Sequence, residues 1–116
     1  MKEKGEFFPE MIRSLPEADI KNIPGTKAYV LQGTDHQVLF FDCAPGGEIP
    51  PHSHGAQFGV VLDGEFELTV GGETRIYRKG DTYHMPPNVV HSAKFTHQLY
   101  ALDYFTDPHR YSIKKK

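Results

Sequence analysis

The chain has 116 residues, enough for one domain and too few for a separate catalytic or DNA-binding module beside it. Hydrophobic residues make up 38% of the chain and aromatic residues 12%, which allows a modest core and is not typical of a disordered protein. A formal net charge of −2 leaves no basic face that would neutralise a series of phosphates, so we expect no nucleic acid partner.

The beginning of the chain and its cysteine content bear on location and redox chemistry. Residues 1–6 alternate charges where a signal peptide would need an apolar segment, and no apolar run approaches the length that crosses a bilayer. We therefore expect a cytoplasmic protein with no membrane partner. The single cysteine, Cys43, excludes an internal disulfide and a thiolate metal cluster. Its strand-like surroundings favour a buried small residue over a reactive thiol.

The first 26 residues predict an N-terminal arm. Apolar side chains occur here at irregular spacing among prolines 9, 16 and 24: they are Phe7, Phe8, Met11, Ile12, Leu15 and Ile20. Such a segment has to bury itself on the remaining barrel, residues 27–116, or on a second subunit. On this ground we expect a homodimer.

From residue 27 onward, short β-branched and aromatic runs alternate with glycine, proline and asparagine, a pattern typical of an all-β barrel or sandwich. The predicted strands are 28–32, 37–43, 57–62, 65–70, 73–78, 82–85, 92–96 and 99–105. Asp63-Gly64 and Gly71-Gly72 supply the positive φ angles of tight turns, so each dipeptide predicts a hairpin.

Three histidines carry the strongest functional signal. His52 and His54 are two residues apart, and on a strand they project from the same face, where they can share an ion. The Pro86-Pro87-Asn88 turn can reverse the chain and bring His91 inward. The alternative is that the three rings only pack or form hydrogen bonds inside the barrel.

The two histidine segments resemble the paired motifs of the cupin superfamily. The first reads Gly46, five residues, His52-x-His54, two residues, Gln57, six residues and Gly64. The second reads Gly80, five residues, Pro86-Pro87-Asn88, two residues and His91. The resemblance implies a single-domain jelly-roll β-barrel with a metal inside its mouth, held by the two histidines and the acid of the first motif and the histidine of the second.

The chain departs from these motifs at three places. Gln57 replaces the acid and lies closer to His54 than the acid of the family does, Phe95 replaces a late asparagine, and Asn88 replaces a glycine that asparagine can mimic. Gln57 either binds the ion or only forms a hydrogen bond beside it. A neutral amide oxygen donates less charge than a carboxylate, so the ion would be a stronger Lewis acid.

Candidate proton-transfer and substrate-binding residues lie near the end of the chain. Asp103 shares a strand face with Phe105, and Arg110 follows. This arrangement is similar to that of the small cupins that linearise unsaturated uronates, in which a metal held by three His and one Gln works beside Asp-x-Phe and a following Arg. That resemblance implies catalytic roles for Asp103 and Arg110, although Arg110 lies one residue farther along. The alternative is a surface ion pair between them.

His84 is a third catalytic candidate, because it precedes the turn and would carry protons if it faced the cavity. The alternative is that it points outward while Tyr83 and Met85 enter the core.

These residues predict one divalent metal ion (zinc, nickel, iron or manganese) and a small-molecule substrate or ligand. We expect an isomerase or ring-opening enzyme acting on a small anionic sugar-derived or carbonyl substrate. An iron-dependent dioxygenase and a non-catalytic ligand-binding barrel are the alternatives.

Overall fold

The computed structural model describes residues 6–115, which are almost entirely β, and the predicted all-β class is confirmed. Within that range the helical element is a single short turn, α1, at Glu10–Arg13. The strands are β1 (Thr26–Gln32), β2 (Gln37–Cys43), β3 (Glu48–His52), β4 (Gln57–Val70), β5 (Glu73–Arg78), β6 (Thr82–Met85), β7 (His91–Lys94) and β8 (Leu99–Phe105). Among residues 6–115, no helix has the length and apolarity needed to cross a membrane.

The long strand β4 connects two antiparallel layers. Its first half pairs with β8 and β6, in a layer that continues through β2 to β1. Its second half pairs with β5 and β7, and β3 pairs with β7 at the edge of this second layer. The inner faces of both layers enclose the main core, which includes Cys43, Phe66, Leu68, Phe95 and Leu99.

The predicted hairpin at Asp63-Gly64 is wrong, because β4 runs through this dipeptide. The pairing with β8 shifts register between Val61 and Asp63, a bulge at which β4 bends from one layer into the other. Gly64 has φ +85°, and a Cβ there would collide with the backbone carbonyl oxygen of Gln98. The glycine therefore permits a bend and a close backbone approach rather than a chain reversal. The Gly71-Gly72 hairpin is confirmed by the pairing of Val70 with Glu73.

Strand β3 was not predicted, because Pro50 and Pro51 argue against a strand. It forms at the edge of its layer, where the missing N–H groups need no partner on one side. Its register against β7 shifts between Ile49 and His52. This short edge strand is important because its last residue is one of the three histidines.

The described part of the N-terminal arm contacts both faces of the first layer, with Phe8 on the outer face and Ala18 on the inner face. The buried ring of Phe8 contacts the rings of Tyr29, Phe40 and Tyr100. Ala18 belongs to a second core cluster and forms a bridge to Ile113. Residues 1–5 of the predicted arm and residue 116 of the predicted barrel lie outside the described residues. Contact of the arm with a second subunit stays a prediction.

Candidate metal centre and active site

The structure brings His52, His54 and His91 together at one end of the main core. Each offers a ring nitrogen, and these three atoms all lie within 4.8 Å of one another. His52 ends β3 and is paired directly with His91, which begins β7. His54 follows two residues later, and its position is fixed by a hydrogen bond from the backbone N–H of Asn88 to its carbonyl oxygen. The chain reversal at Asn88, which has φ +65°, thus links both motifs.

The backbone determines which nitrogen of each ring is free. In all three rings Nδ1 lies at hydrogen-bond distance from a backbone carbonyl oxygen: 2.9 Å for His52 with Pro50, 2.7 Å for His54 with Gly55 and 3.0 Å for His91 with Val89. A carbonyl oxygen only accepts, so Nδ1 carries the proton in each ring and Nε2 carries the lone pair. Metal-binding histidines are commonly oriented in this way.

The spacing of two of these lone pairs fits a shared cation. The Nε2 atoms of His54 and His91 lie 3.1 Å apart. Because neither atom carries a proton, their lone pairs repel each other unless a proton or a cation lies between them. Burial lowers the pKa of His54 to about 4 and also lowers the pKa of His91, with Arg110 and the neighbouring imidazoles adding to the effect. A proton is therefore disfavoured near neutral pH, and the donor set fits a divalent ion that accepts imidazole nitrogen.

Gln57 connects the histidines to a buried carboxyl group. Its amide nitrogen donates a hydrogen bond of 2.7 Å to Oδ2 of Asp103, so its amide oxygen is the atom it can offer to an ion. The hydroxyl of Tyr83 donates a bond of 2.8 Å to Oδ1 of the same carboxyl group. Asp103 therefore lies fully buried between two donors, on the inner face of β8.

Burial is the main influence on the ionisation of Asp103. It raises the pKa of this carboxyl group from 3.8 to about 7, and the hydrogen bonds from Gln57 and Tyr83 oppose the rise only in part. Both the protonated and the ionised forms are then accessible near neutral pH, which is the property required of a general acid or base.

Gly59 allows Tyr83 to reach Asp103. In the register of the first layer, Gly59 on β4 lies between Tyr83 on β6 and Asp103 on β8. A Cβ at this position would collide with the tyrosine ring, which occupies the space where a side chain would otherwise stand. Tyr83 was expected in the core only in the alternative in which His84 points outward, and its bond to Asp103 was not predicted. Gly59 inside a predicted strand was the available sign that another group approaches the backbone closely at this position.

We expect Gly59→Ala to destabilise the fold by about 1–3 kcal/mol, because the added methyl group displaces the Tyr83 ring from a packed core. The free energy of unfolding in urea measures this loss. In a Tyr83→Ala background the same glycine substitution should cost much less, since the colliding ring is absent. An equal loss in both backgrounds would contradict this account of Gly59.

The other two predicted catalytic residues have different outcomes. Arg110 lines the cavity together with the histidines, its Nε has no hydrogen-bond partner, and its guanidinium carbon lies 4.5 Å from the centroid of the Tyr111 ring. His84 is exposed on the outer face of β6, because the alternation that buries Tyr83 and Met85 turns it outward. The structure thus gives the outward alternative for His84, and we assign it no catalytic role.

The predicted alternative of a surface ion pair between Asp103 and Arg110 is wrong. Asp103 is 2% exposed and bonded to Gln57 and Tyr83. Arg110 makes no ion pair with any carboxylate of residues 6–115. Its positive charge is therefore not neutralised by an ion pair beside the cavity.

The cavity behind the histidines is narrow and mostly apolar. Its volume is about 50 Å³, and its walls include Phe41, Leu68 and Phe95 beside the polar groups. Phe95, at the position of the late asparagine in the second motif, is therefore part of the apolar wall. Cys43 also lines the cavity, and burial raises the pKa of its thiol, in agreement with the predicted inert role.

The jelly-roll layers and the converging histidines define a class of protein, and comparison with known families agrees with it. A family model described as a cupin domain matches residues 39–104, which is more than half of the chain. The chain belongs to the cupin family.

Three proteins are similar to this chain to different extents. The H2HPP isomerase of Bacillus subtilis is 36% identical over 72 residues, which cover 60% of this chain and 30% of that protein. The chain thus matches less than a third of that relative's length. An RmlC-like cupin from Shewanella frigidimarina is 26% identical with a TM-score of 0.74 over 94% of both chains. KdgF from Halomonas sp. is 25% identical with a TM-score of 0.73, over 84% of this chain and 92% of its own.

Proposed function

We propose that this cupin is a metal-dependent isomerase or ring-opening enzyme that acts on a small anionic sugar-derived or carbonyl substrate. The observation that carries the proposal is the Gln57 amide, which is bonded to the buried carboxyl group of Asp103 and lines the same cavity as the three imidazoles. The isomerase named among the relatives supports a reaction without net oxidation.

His52, His54 and His91, with the amide oxygen of Gln57, are the proposed ligands of one divalent ion. Such an ion supplies Lewis-acid chemistry, since it polarises a carbonyl or hydroxyl oxygen of the bound substrate. The hydrogen bond from Gln57 to Asp103 orients the amide so that its oxygen is free for the ion. The apolar walls of the cavity exclude bulk water from the reacting atoms.

Asp103 is the proposed proton-transfer group. In the ring opening of an unsaturated uronate, the anomeric hydroxyl loses a proton while the bond between the anomeric carbon and the ring oxygen breaks. The products of this step are an aldehyde and an enolate, and the enolate becomes a ketone when a proton adds to carbon. One proton leaves oxygen and one is added to carbon, so the composition is unchanged and no oxidant is consumed. Tyr83 and Gln57 hold the carboxyl group in place for both transfers.

Arg110 is the proposed binding residue for the substrate carboxylate. Its guanidinium lines the cavity, has no carboxylate partner within residues 6–115 and lies against the ring of Tyr111. A guanidinium group binds a carboxylate through two parallel N–H···O hydrogen bonds, which would fix the substrate relative to Asp103.

The test uses protein purified without a metal-affinity tag. We expect elemental analysis to find a stoichiometric divalent metal, and NMR to detect loss of the cyclic form of an unsaturated uronate faster than the spontaneous process. Chelation should abolish the acceleration, and restoring the metal should recover it. Equal rates with and without the metal-loaded protein would contradict the proposal. Oxygen consumption with an iron-loaded sample would instead favour the dioxygenase. Ligand binding that survives replacement of His52 and His91 by alanine would favour the non-catalytic barrel.

A further inference from the structure

The metal cavity adjoins a second depression, which we call the outer groove. Its volume is about 260 Å³, against about 50 Å³ for the cavity behind the histidines. Four residues, Ile49, His52, Arg110 and Tyr111, line both spaces, so the groove begins at the edge of the proposed metal site. A cavity of the inner volume has room for only a few water-sized groups, so the body of a sugar-sized molecule would lie in the groove.

The far wall of the outer groove is the N-terminal segment 19–23, which is held at both ends. The backbone N–H of Asp19 donates a 2.7 Å hydrogen bond to the carbonyl oxygen of Ser112. At the other end Ile23 packs against the main core. Between these anchors Asn22 has φ +62°, a left-handed conformation that asparagine tolerates. These contacts anchor the wall to the barrel at both ends, and an anchored wall loses less conformational freedom on binding.

The charges of the outer groove favour an anion. Lys21 and Arg110 contribute two positive charges, and Asp19 contributes one negative charge. The Lys21 ammonium lies 3.5 Å from the Asp19 carboxylate, but the lysine side chain is 77% exposed, so this pair neutralises it weakly. The Asn22 amide adds donors and an acceptor that match the hydroxyl groups of a polyol.

We infer that the outer groove is a subsite for the body of a small polyhydroxylated carboxylate, and that Lys21 and Asn22 determine its specificity. The inference deepens the proposed function, because the metal cavity supplies the reacting groups. Lys21 and Asn22 lie outside both histidine motifs, on a segment predicted only as a packing arm.

The probe is the methyl glycoside of galacturonate, whose locked ring keeps it from being opened, with the neutral methyl galactoside as its uncharged counterpart. Lys21→Glu should weaken binding of the uronate glycoside about 3- to 10-fold while leaving the neutral glycoside within twofold, because the charge change acts on the carboxylate. Lys79→Glu, at an exposed lysine away from the groove, is the matched control and should stay within about twofold of wild type.

Asn22→Gly is the second variant. It should not strain the backbone, because glycine adopts a positive φ readily, so only the carboxamide is lost. One lost hydrogen bond predicts binding of the uronate glycoside weakened about 2- to 10-fold. The neutral methyl galactoside carries the same ring hydroxyl groups, so its affinity should fall by a similar factor in this variant.

Calorimetry on the zinc-loaded protein gives the affinities, and amide NMR shifts give the location. Shifts concentrated at residues 19–23 with the expected losses support the inference, even if no unsaturated uronate is opened, in which case only the proposed reaction fails. The inference is overturned if the uronate glycoside does not bind, if its shifts avoid residues 19–23, or if Lys21→Glu behaves like Lys79→Glu. If the protein opens unsaturated uronate and Lys21→Glu does not change the KM, the groove inference is wrong and the proposed reaction still stands.

Discussion

His91→Ala is expected to lower the affinity for a divalent metal by at least about 100-fold, because changes to groups that merely support a ligand already cost about 10- to 100-fold. His91 is the central ring of the three. Its Nε2 lies 3.1 Å from that of His54, and its ring centroid lies 4.2 Å from that of His52. Without it, His52 and His54 remain with ring centroids 5.2 Å apart, and two imidazoles hold a divalent ion poorly.

Equilibrium dialysis followed by elemental analysis measures this loss, and thermal unfolding with and without zinc provides a second readout. Zinc at 100 times its dissociation constant should stabilise the wild type by about 2.7 kcal/mol and should not stabilise the variant. His84→Ala is the matched control, because that imidazole is exposed on the outer face of β6, and it should bind metal like the wild type. Retention of metal by His91→Ala, or its loss in His84→Ala, would contradict the assignment of the site.

The histidine cluster could be predicted because it depends on local rules. Alternation along an extended chain places His52 and His54 on one side, and a Pro-Pro-Asn turn returns the chain before His91. Both features are encoded within a few residues. The same rule left two orientations open for His84, inward as a catalytic candidate or outward with Tyr83 and Met85 in the core, and the structure shows the outward one.

Features that depend on register between distant strands could not be predicted. The bond between Tyr83 and Asp103 requires β6, β4 and β8 to align so that Gly59 lies between them. No local pattern fixes that alignment, since a slip of one residue would reverse which face each side chain occupies.

Local turn chemistry was ambiguous at Asp63-Gly64, because a positive φ serves a bulge as well as a hairpin. Proline misled the prediction of β3 for a related reason, since only the finished sheet shows that this strand is at an edge. The position of the outer-groove wall likewise could not be predicted from local sequence. Residues 19–23 acquire their position from contacts with residues near 112, far away in sequence.

Asp103→Asn is expected to lower kcat for the proposed isomerisation about 100- to 10,000-fold, the usual contribution of a positioned general acid or base. Asparagine has nearly the same shape. Its oxygen can accept the bond from Gln57 and its amide nitrogen can donate to the hydroxyl of Tyr83, so the geometry of the site is retained. Metal content should therefore equal that of the wild type. Tyr83→Phe, which keeps the carboxyl group and removes one of its two bonds, should cost only about 2- to 10-fold.

The pH dependence of stability separates loss of a titrating group from general damage at Asp103. Folding raises the pKa of this carboxyl group from 3.8 to about 7, so the folded chain binds a proton that the unfolded chain releases between these values. The stabilisation from this proton on Asp103 is complete below about pH 4 and is lost as the pH rises to about 7. In chelator, the stability of Asp103→Asn relative to wild type should rise across this window, by about 1.4 kcal/mol for each unit of pKa change. A constant difference from pH 4 to 7, or wild-type kcat in this variant, would remove Asp103 from the mechanism.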